Sequence, residues 1–330
     1  MKAKNLIVFD MDGVIVDVSA SYRDVVRQTT KLFFSPATAA DSLPEPLFKL
    51  ADLAAVKQSG GLNNDWDLSF VVINLLFNLV DTSSSDESQD PWVRYRQTIH
   101  HCDVRKLAEF LTSEEAPLES LLYRYGKQEH DLIAGLYTGD VGSGNIIKQI
   151  FQEIYLGPVL FKSTYHMEPQ CYQGEGYILR EKLLIDASIL EVFSKENILA
   201  IATGRPGPEA EYPLKQFQLK RFFPQVLSLD DCVDEEKRIL AKEGRSVSLS
   251  KPDPFMLDTL AEAHRDTVTD FYYIGDMPDD MVAAARSSVG FKSIGILISA
   301  PDKSSLKEKL RQAGADYIVA DFESLKKIIL

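Results

Sequence analysis

The amino-acid sequence predicts an α/β protein: a Rossmann-like parallel sheet with an enlarged, mostly α-helical domain inserted after its first strand. A short apolar strand opens the chain at residues 6–9. Strands and helices alternate from about residue 184 onward, whereas residues 20–180 carry many helical signals and few strand signals. We therefore predict an α/β core domain made of residues 1–19 and 181–330, and a helical domain made of residues 20–180.

The first strand ends in two aspartates, Asp10 and Asp12, followed by Gly13. Side chains alternate along a strand, so both carboxylates point to the same side at its carboxyl end, and the glycine allows a sharp turn. Two converging carboxylates repel each other, which a divalent cation or a shared proton relieves. One carboxylate could attack a phosphorus atom while the other moves a proton.

The inserted segment begins with a predicted capping box, Ser21 to Asp24, that opens the first of a series of helices. A polar stretch at residues 82–90 is predicted to be a loop. The further helices are predicted at residues 45–57, 66–80, 92–111, 118–125, 128–136 and 145–156.

The second part of the chain alternates apolar strands with amphipathic helices. Strands are predicted at residues 198–202, 225–229, 271–274, 292–297 and 317–319. Helices are predicted at residues 184–196, 209–217, 253–263, 279–287 and 303–313, with a short one at the end. In an open sheet of this kind, ligands bind where the carboxyl ends of the strands gather.

Polar residues with phosphate or metal chemistry follow two of these strands and precede one helix. Thr203 and its neighbouring glycine can present a hydroxyl and N–H groups to a phosphate oxygen. Lys251 precedes a helix start, where it could neutralise a phosphoryl group. Asp276 ends a strand and Asp280 lies in the first turn of the next helix, and carboxylates of this kind suit Mg²⁺. Each of these signals alone is also typical of an ordinary turn or surface residue. Their order and spacing along the chain therefore carry the functional interpretation.

In that order, the segments 10–13, 203–206, 250–254 and 275–285 resemble the four motifs of the haloacid dehalogenase superfamily, in its helical-cap branch (subfamily IA-like). The resemblance covers residues 4–20 and 180–330. The insert is about twice as long as the usual helical cap, and segment 57–66 is similar to a phrase from a branch without an assigned substrate.

The resemblance implies a phosphatase that forms an aspartyl-phosphate on Asp10, with Asp12 as general acid and base. It implies phosphate contacts from Thr203, Gly204 and Lys251. It also implies Mg²⁺ as the cofactor, with the metal residues Asp10, Asp12 (through its carbonyl), Asp276 and Asp280.

The candidate substrate residues are Arg23, Asn64, Trp66 and Arg205. The helical domain is expected to select the substrate and exclude water. Arg23 could instead be a solvated helix charge, and Asn64 could instead cap the helix at 66–80.

Composition narrows the class of partner. The formal charge of −13 and the pI of about 4.9 argue against a nucleic-acid or anionic membrane surface. The apolar stretches are too short for a signal sequence or a membrane span, and three scattered cysteines favour a reducing compartment. We predict a cytoplasmic Mg²⁺-dependent phosphatase acting on a small phosphorylated metabolite. A phosphomutase with the same core residues and a non-catalytic binding protein are the alternatives.

Overall fold

The computed structural model describes residues 5–57, 64–82 and 88–330. Most of the segment with the family-like phrase, and the middle of the predicted polar loop, lie outside the described residues. Among the described helices, none combines the length and hydropathy that crossing a membrane requires.

The chain divides into two compact units. The first, called the core unit, comprises Met1–Val18 and Glu181–Leu330. The second, called the helical unit, comprises Ser19–Arg180.

The core unit begins with strand β1 (Asn5–Phe9) and the short strand β2 (Val16–Asp17). The elements of the helical unit follow: α1 (Tyr22–Phe34), α2 (Leu50–Lys57), α3 (Asp65–Phe77), β3 (Asp81–Thr82), α4 (Pro91–His100), β4 (Cys102–Asp103), α5 (Arg105–Ser113), α6 (Pro117–Tyr125), α7 (Asp131–Gly135) and α8 (Ile146–Tyr165), which is kinked at Gly157.

The chain then returns to the core unit. Its remaining elements are β5 (Lys182–Leu183), α9 (Ala187–Ser194), β6 (Ile198–Ala202), α10 (Gly207–Gln216), β7 (Gln225–Leu227), α11 (Leu229–Glu243), α12 (Phe255–His264), β8 (Asp270–Gly275), α13 (Pro278–Arg286), β9 (Lys292–Ile296), α14 (Lys303–Gln312), β10 (Tyr317–Val319) and α15 (Phe322–Ile329).

A six-stranded parallel sheet organises the core unit, in the order β10-β9-β8-β1-β6-β7. The α/β class and the parallel sheet predicted from the sequence are confirmed. Strand β1 is central, and Phe9 lies opposite Ile274 on one side and Ile201 on the other. Its residues are buried on both faces, because Val8 packs into one hydrophobic layer while the Phe9 ring contacts Phe193 on the other. An apolar run without polar alternation is what such a strand requires.

Two local predictions are wrong, and one helix was not predicted. The helix expected at 92–111 is two helices, α4 and α5, because β4 between them pairs with β3. Ser21 makes no side-chain cap bond at α1. Helix α11 was not predicted, although Ser228 and Asp231 form a cap at its start, with the Ser228 N–H 2.8 Å from the Asp231 carboxylate.

Candidate active site

Parallel pairing brings the ends of the central strands to one edge of the sheet. The Asp10 N–H donates to the Ile274 carbonyl at 2.8 Å, and the Thr203 N–H donates to the Leu227 carbonyl at 2.9 Å. The hydrogen-bond ladders therefore continue one residue beyond the strands. This extension fixes the backbone of Asp10 and Thr203 on neighbouring strand ends.

Three buried carboxylates converge at this edge. Asp10, Asp276 and Asp280 each offer an oxygen, and these oxygens lie within 4.8 Å of one another. Gly13, at φ +73°, makes the approach of the first loop feasible, because a Cβ there would stand 2.0 Å from Asp276 Oδ2. Ser299 Oγ donates to the same oxygen at 3.2 Å. The donor set consists of hard oxygens, which suits Mg²⁺.

Lys251 is the cation that faces these carboxylates. Its Nζ lies 2.9 Å from Asp10 Oδ1 and 2.8 Å from Asp280 Oδ1, and it donates to the Tyr273 hydroxyl at 3.1 Å. The hydroxyl of Tyr273 in turn donates to Asp280 Oδ1 at 2.8 Å. The three carboxylates and this ammonium lie close together, so the site concentrates negative charge when all three acids are ionised. A divalent cation would balance that charge.

Burial changes the proton affinity of these groups. It raises the pKa of Asp10 to about 8, because the ionised carboxylate loses its hydration; Lys251 lowers this pKa and the neighbouring carboxylates raise it. Burial alone would lower the pKa of Lys251, but Asp10 and Asp280 more than offset it, and the pKa lies well above its usual value. Burial and the nearby Asp280 likewise raise the pKa of Tyr273. The lysine therefore remains charged.

Asp12 is not one of the three clustered carboxylates, and its side chain is 26% exposed. Arg205 binds it: Nε donates to Asp12 Oδ1 at 2.7 Å, and Nη2 lies 2.6 Å from the same oxygen. Arg205 is itself buried and also pairs with Glu181. The sequence predicted Arg205 as a substrate residue, whereas the structure places its guanidinium between two carboxylates of the core unit.

The phosphate residues predicted from the second motif form a tight turn after β6. Thr203 is buried, and its Oγ accepts the Arg205 N–H at 3.2 Å, while Gly204 is half-buried. The hydroxyl proton of Thr203 remains available as a donor in this arrangement.

The remaining predicted substrate residues belong to the helical unit. Arg23 is buried in α1. Asn64 is the N-cap of α3, and its Oδ1 accepts the Asp67 N–H at 2.7 Å. Trp66 is buried, with Lys148 Nζ 4.6 Å from its ring centre. Asn64 therefore caps a helix, which is the alternative role that the sequence predicted for it.

Several residues that contact the predicted site side chains were not predicted from the sequence, among them Ser299, which donates to Asp276. Tyr273 lies inside an apolar strand, where nothing in the pattern shows that its hydroxyl meets Lys251 and Asp280. Glu181 lies at the return of the chain into the core unit. Its charge just before a predicted helix gave no sign of a buried arginine partner.

The fold and the acidic edge define a class of parallel α/β proteins with a cluster of buried carboxylates at the carboxyl ends of the strands. A family model described as haloacid dehalogenase-like hydrolase matches residues 4–287. The chain belongs to this family and is a hydrolase, as the order of its motifs predicts.

Individual relatives agree with this assignment. A phosphoglycolate phosphatase of Vibrio cholerae serotype O1 is 24% identical over 176 residues, which are 53% of this chain and 69% of the relative. An X-ray structure of a Northeast Structural Genomics Consortium target has a TM-score of 0.63 at 20% identity, covering 100% of this chain and 98% of the other. The phosphatase Tt82 of Thermococcus thioreducens has a TM-score of 0.50 at 22% identity, covering 93% and 99%. The structural likenesses show a shared fold, and the phosphatase class predicted from the motifs agrees with the names of the relatives.

Proposed function

We propose that the chain is a Mg²⁺-dependent phosphatase that hydrolyses a small phosphorylated metabolite in the cytoplasm through an aspartyl-phosphate on Asp10. The observation that carries the proposal is the convergence of Asp10, Asp276 and Asp280 at one sheet edge, where Lys251 pairs with Asp10 and Asp280. Family membership and the phosphatase names of the relatives support the reaction type. The free thiols of Cys102, Cys171 and Cys232 support a reducing compartment.

The carboxylate oxygens of Asp10 and Asp276 and the backbone carbonyl of Asp12 would hold Mg²⁺, with Asp280 in support. When bound, the ion supplies positive charge against the phosphate and the anionic nucleophile. Asp10 attacks phosphorus, and Lys251 lowers the repulsion between the two anions. Asp12 protonates the leaving oxygen and then takes a proton from the hydrolytic water.

The remaining roles follow from position. Thr203 and Gly204 would donate to the phosphoryl oxygens from the turn after β6. The helical unit, residues 20–180 in the predicted division, would serve as the cap that selects the substrate. Arg23, Asn64 and Trp66 are its candidate contacts, of which Asn64 also makes hydrogen bonds that cap α3.

A phosphate-release assay tests the proposal. The panel contains 2-phosphoglycolate, sugar phosphates and polyol phosphates, each assayed with Mg²⁺ and with EDTA. We expect release only with Mg²⁺, and restoration when excess Mg²⁺ follows EDTA. Equal turnover in EDTA contradicts the metal requirement. Isomerisation of a sugar phosphate without phosphate release indicates the phosphomutase alternative.

A further inference from the structure

Arg205 is the largest fully buried side chain in the described part of the protein. A buried guanidinium is costly unless carboxylates pair with it and its N–H groups are bonded. Its Nη1 and Nη2 donate to the two oxygens of Glu181 at 3.1 and 3.0 Å, and Nη1 also donates to the Glu209 carbonyl at 3.2 Å. Its Nε and Nη2 reach a single oxygen of Asp12.

The carboxylates of Glu181 and Asp12 differ in exposure and in how they bind Arg205. The Glu181 side chain is fully buried, and its bidentate contact fixes the plane of the guanidinium. The Asp12 side chain keeps 26% exposure, and its contacts with Arg205 both end on Oδ1. Glu181 therefore fixes the Arg205 guanidinium, and the guanidinium holds one oxygen of Asp12.

The backbone around this contact is also constrained. Glu181 directly precedes β5, which pairs with β2, the strand that follows the Asp12 loop. The Arg205 N–H donates to Thr203 Oγ at 3.2 Å. Arg205 and Glu181 thus connect three segments of the core unit: the Asp12 loop, the turn after β6 and the residues just before β5.

We infer that Arg205, anchored by Glu181, is a positioning residue that holds Oδ1 of Asp12 so that Oδ2 carries the transferred proton. The inference rests on the proposed function. In the first half-reaction, Oδ2–H gives its proton to the leaving oxygen as that P–O bond breaks and the bond from Asp10 to phosphorus forms. In the second, Oδ2 accepts a proton from water as the water oxygen bonds to phosphorus and the bond to Asp10 breaks, releasing inorganic phosphate.

Leaving-group dependence tests the inference. In a reaction through a covalent intermediate, kcat/KM reports only the steps up to departure of the leaving group. p-Nitrophenolate leaves with little protonation, whereas the alkoxide of glycerol 2-phosphate needs a positioned acid. For Arg205→Lys we expect kcat/KM to fall about 100-fold with glycerol 2-phosphate and less than about 3-fold with p-nitrophenyl phosphate. Glu181→Gln should show the same selectivity with about a 10-fold loss.

Arg311→Lys is the matched control, since Arg311 pairs with Glu308 on the surface; it should leave both values unchanged. If circular dichroism shows that Arg205→Lys does not fold, the selectivity of Glu181→Gln between the two substrates tests the inference. Equal losses with both substrates overturn the inference while leaving the proposed function intact. Absence of wild-type hydrolysis of these two substrates and of every member of the panel in Mg²⁺ contradicts the proposed function and overturns the inference with it.

Discussion

Buried acidic side chains occur in both units, but they are compensated differently. In the helical unit, Asp52 accepts the N–H groups of Leu118 and Glu119 at the start of α6, at 2.8 and 3.0 Å. Glu153 on α8 has its own set of donors. These are the N–H groups of Gln170, Cys171 and Tyr172 at 2.8, 2.8 and 3.2 Å, the Cys171 thiol at 3.0 Å and the Gln149 amide at 2.9 Å.

In the core unit, Asp10, Asp276 and Asp280 instead surround a common point, and two of them share the ammonium of Lys251. A carboxylate with a full set of its own N–H donors ties one segment to another. Several carboxylates that converge on one point concentrate negative charge, which a bound cation would balance. Burial of an acid alone therefore does not identify an active site, whereas the convergence of several acids on one point indicates one.

The largest expected effect comes from Asp10→Asn. Loss of the nucleophile should lower kcat by at least about 10³-fold. The melting temperature of the metal-free protein should not fall, because ionisation of Asp10 in this site is unfavourable. Phosphate release and thermal melting without metal measure the two effects.

Asp270→Asn is the control for this substitution. Asp270 is at the opposite end of β8 and pairs with Lys292 at the surface. This variant should keep full activity. An Asp10→Asn enzyme within tenfold of wild type would remove Asp10 from the chemistry.

Glu153→Gln should show the reverse pattern, a loss of stability without loss of chemistry. The amide keeps the shape of the side chain but replaces one acceptor oxygen with an NH₂ group that faces backbone N–H donors. We expect the free energy of unfolding to fall by about 2–4 kcal/mol, with unchanged activity per folded molecule. Urea unfolding followed by circular dichroism measures the change.

Glu168→Gln is the matched control, in the segment after α8 whose N–H groups bond to Glu153. Glu168 is exposed and pairs with Lys162, so its loss should cost less than about 0.5 kcal/mol. Similar losses for both variants would mean that the buried hydrogen bonds of Glu153 contribute nothing special.

The sequence revealed the sheet better than the helices. Strands such as β1 and β6 are buried on both faces, so each must be an unbroken apolar run that is visible locally. Helix α11 buries little more than Cys232. Its apolar residues recur with helical spacing but are few among many charged side chains, so the pattern in the sequence was a weak signal for it. The break between α4 and α5 depends on the pairing of β4 with β3, a contact that local pattern does not encode.

The candidate site divides in the same way. Asp10, Asp276 and Lys251 could be predicted because strand ends and a helix start place them, and parallel order brings those ends together. Tyr273 and Glu181 could not, because their roles depend on how far a side chain reaches from a neighbouring element. Arg205 was found as part of a motif, but its direction, toward Asp12 and Glu181, required the folded chain.

The smallest expected effect is the change in Mg²⁺ affinity per pH unit. In the metal-free protein the pKa of Asp10 is about 8, raised from 3.8. Mg²⁺ binds the ionised carboxylate, so below pH 8 binding must release a proton, and affinity rises with pH. The dissociation constant should fall by at most about tenfold per pH unit between pH 6 and 8 and level off above.

The same linkage acts on folding with the opposite sign. Between pH 4 and 8 the native metal-free state holds a proton that the unfolded chain has lost, so Asp10 makes the metal-free protein less stable as pH rises, by up to about 1.4 kcal/mol per unit. Calorimetry in two buffers of different ionisation enthalpy counts the released proton. Asp10→Asn should abolish both the proton release and the pH dependence. Equal Mg²⁺ affinity at pH 6 and pH 8 in the wild type would show that Asp10 is already ionised before the metal binds. Residues of the core unit would then already balance the charge of the three carboxylates.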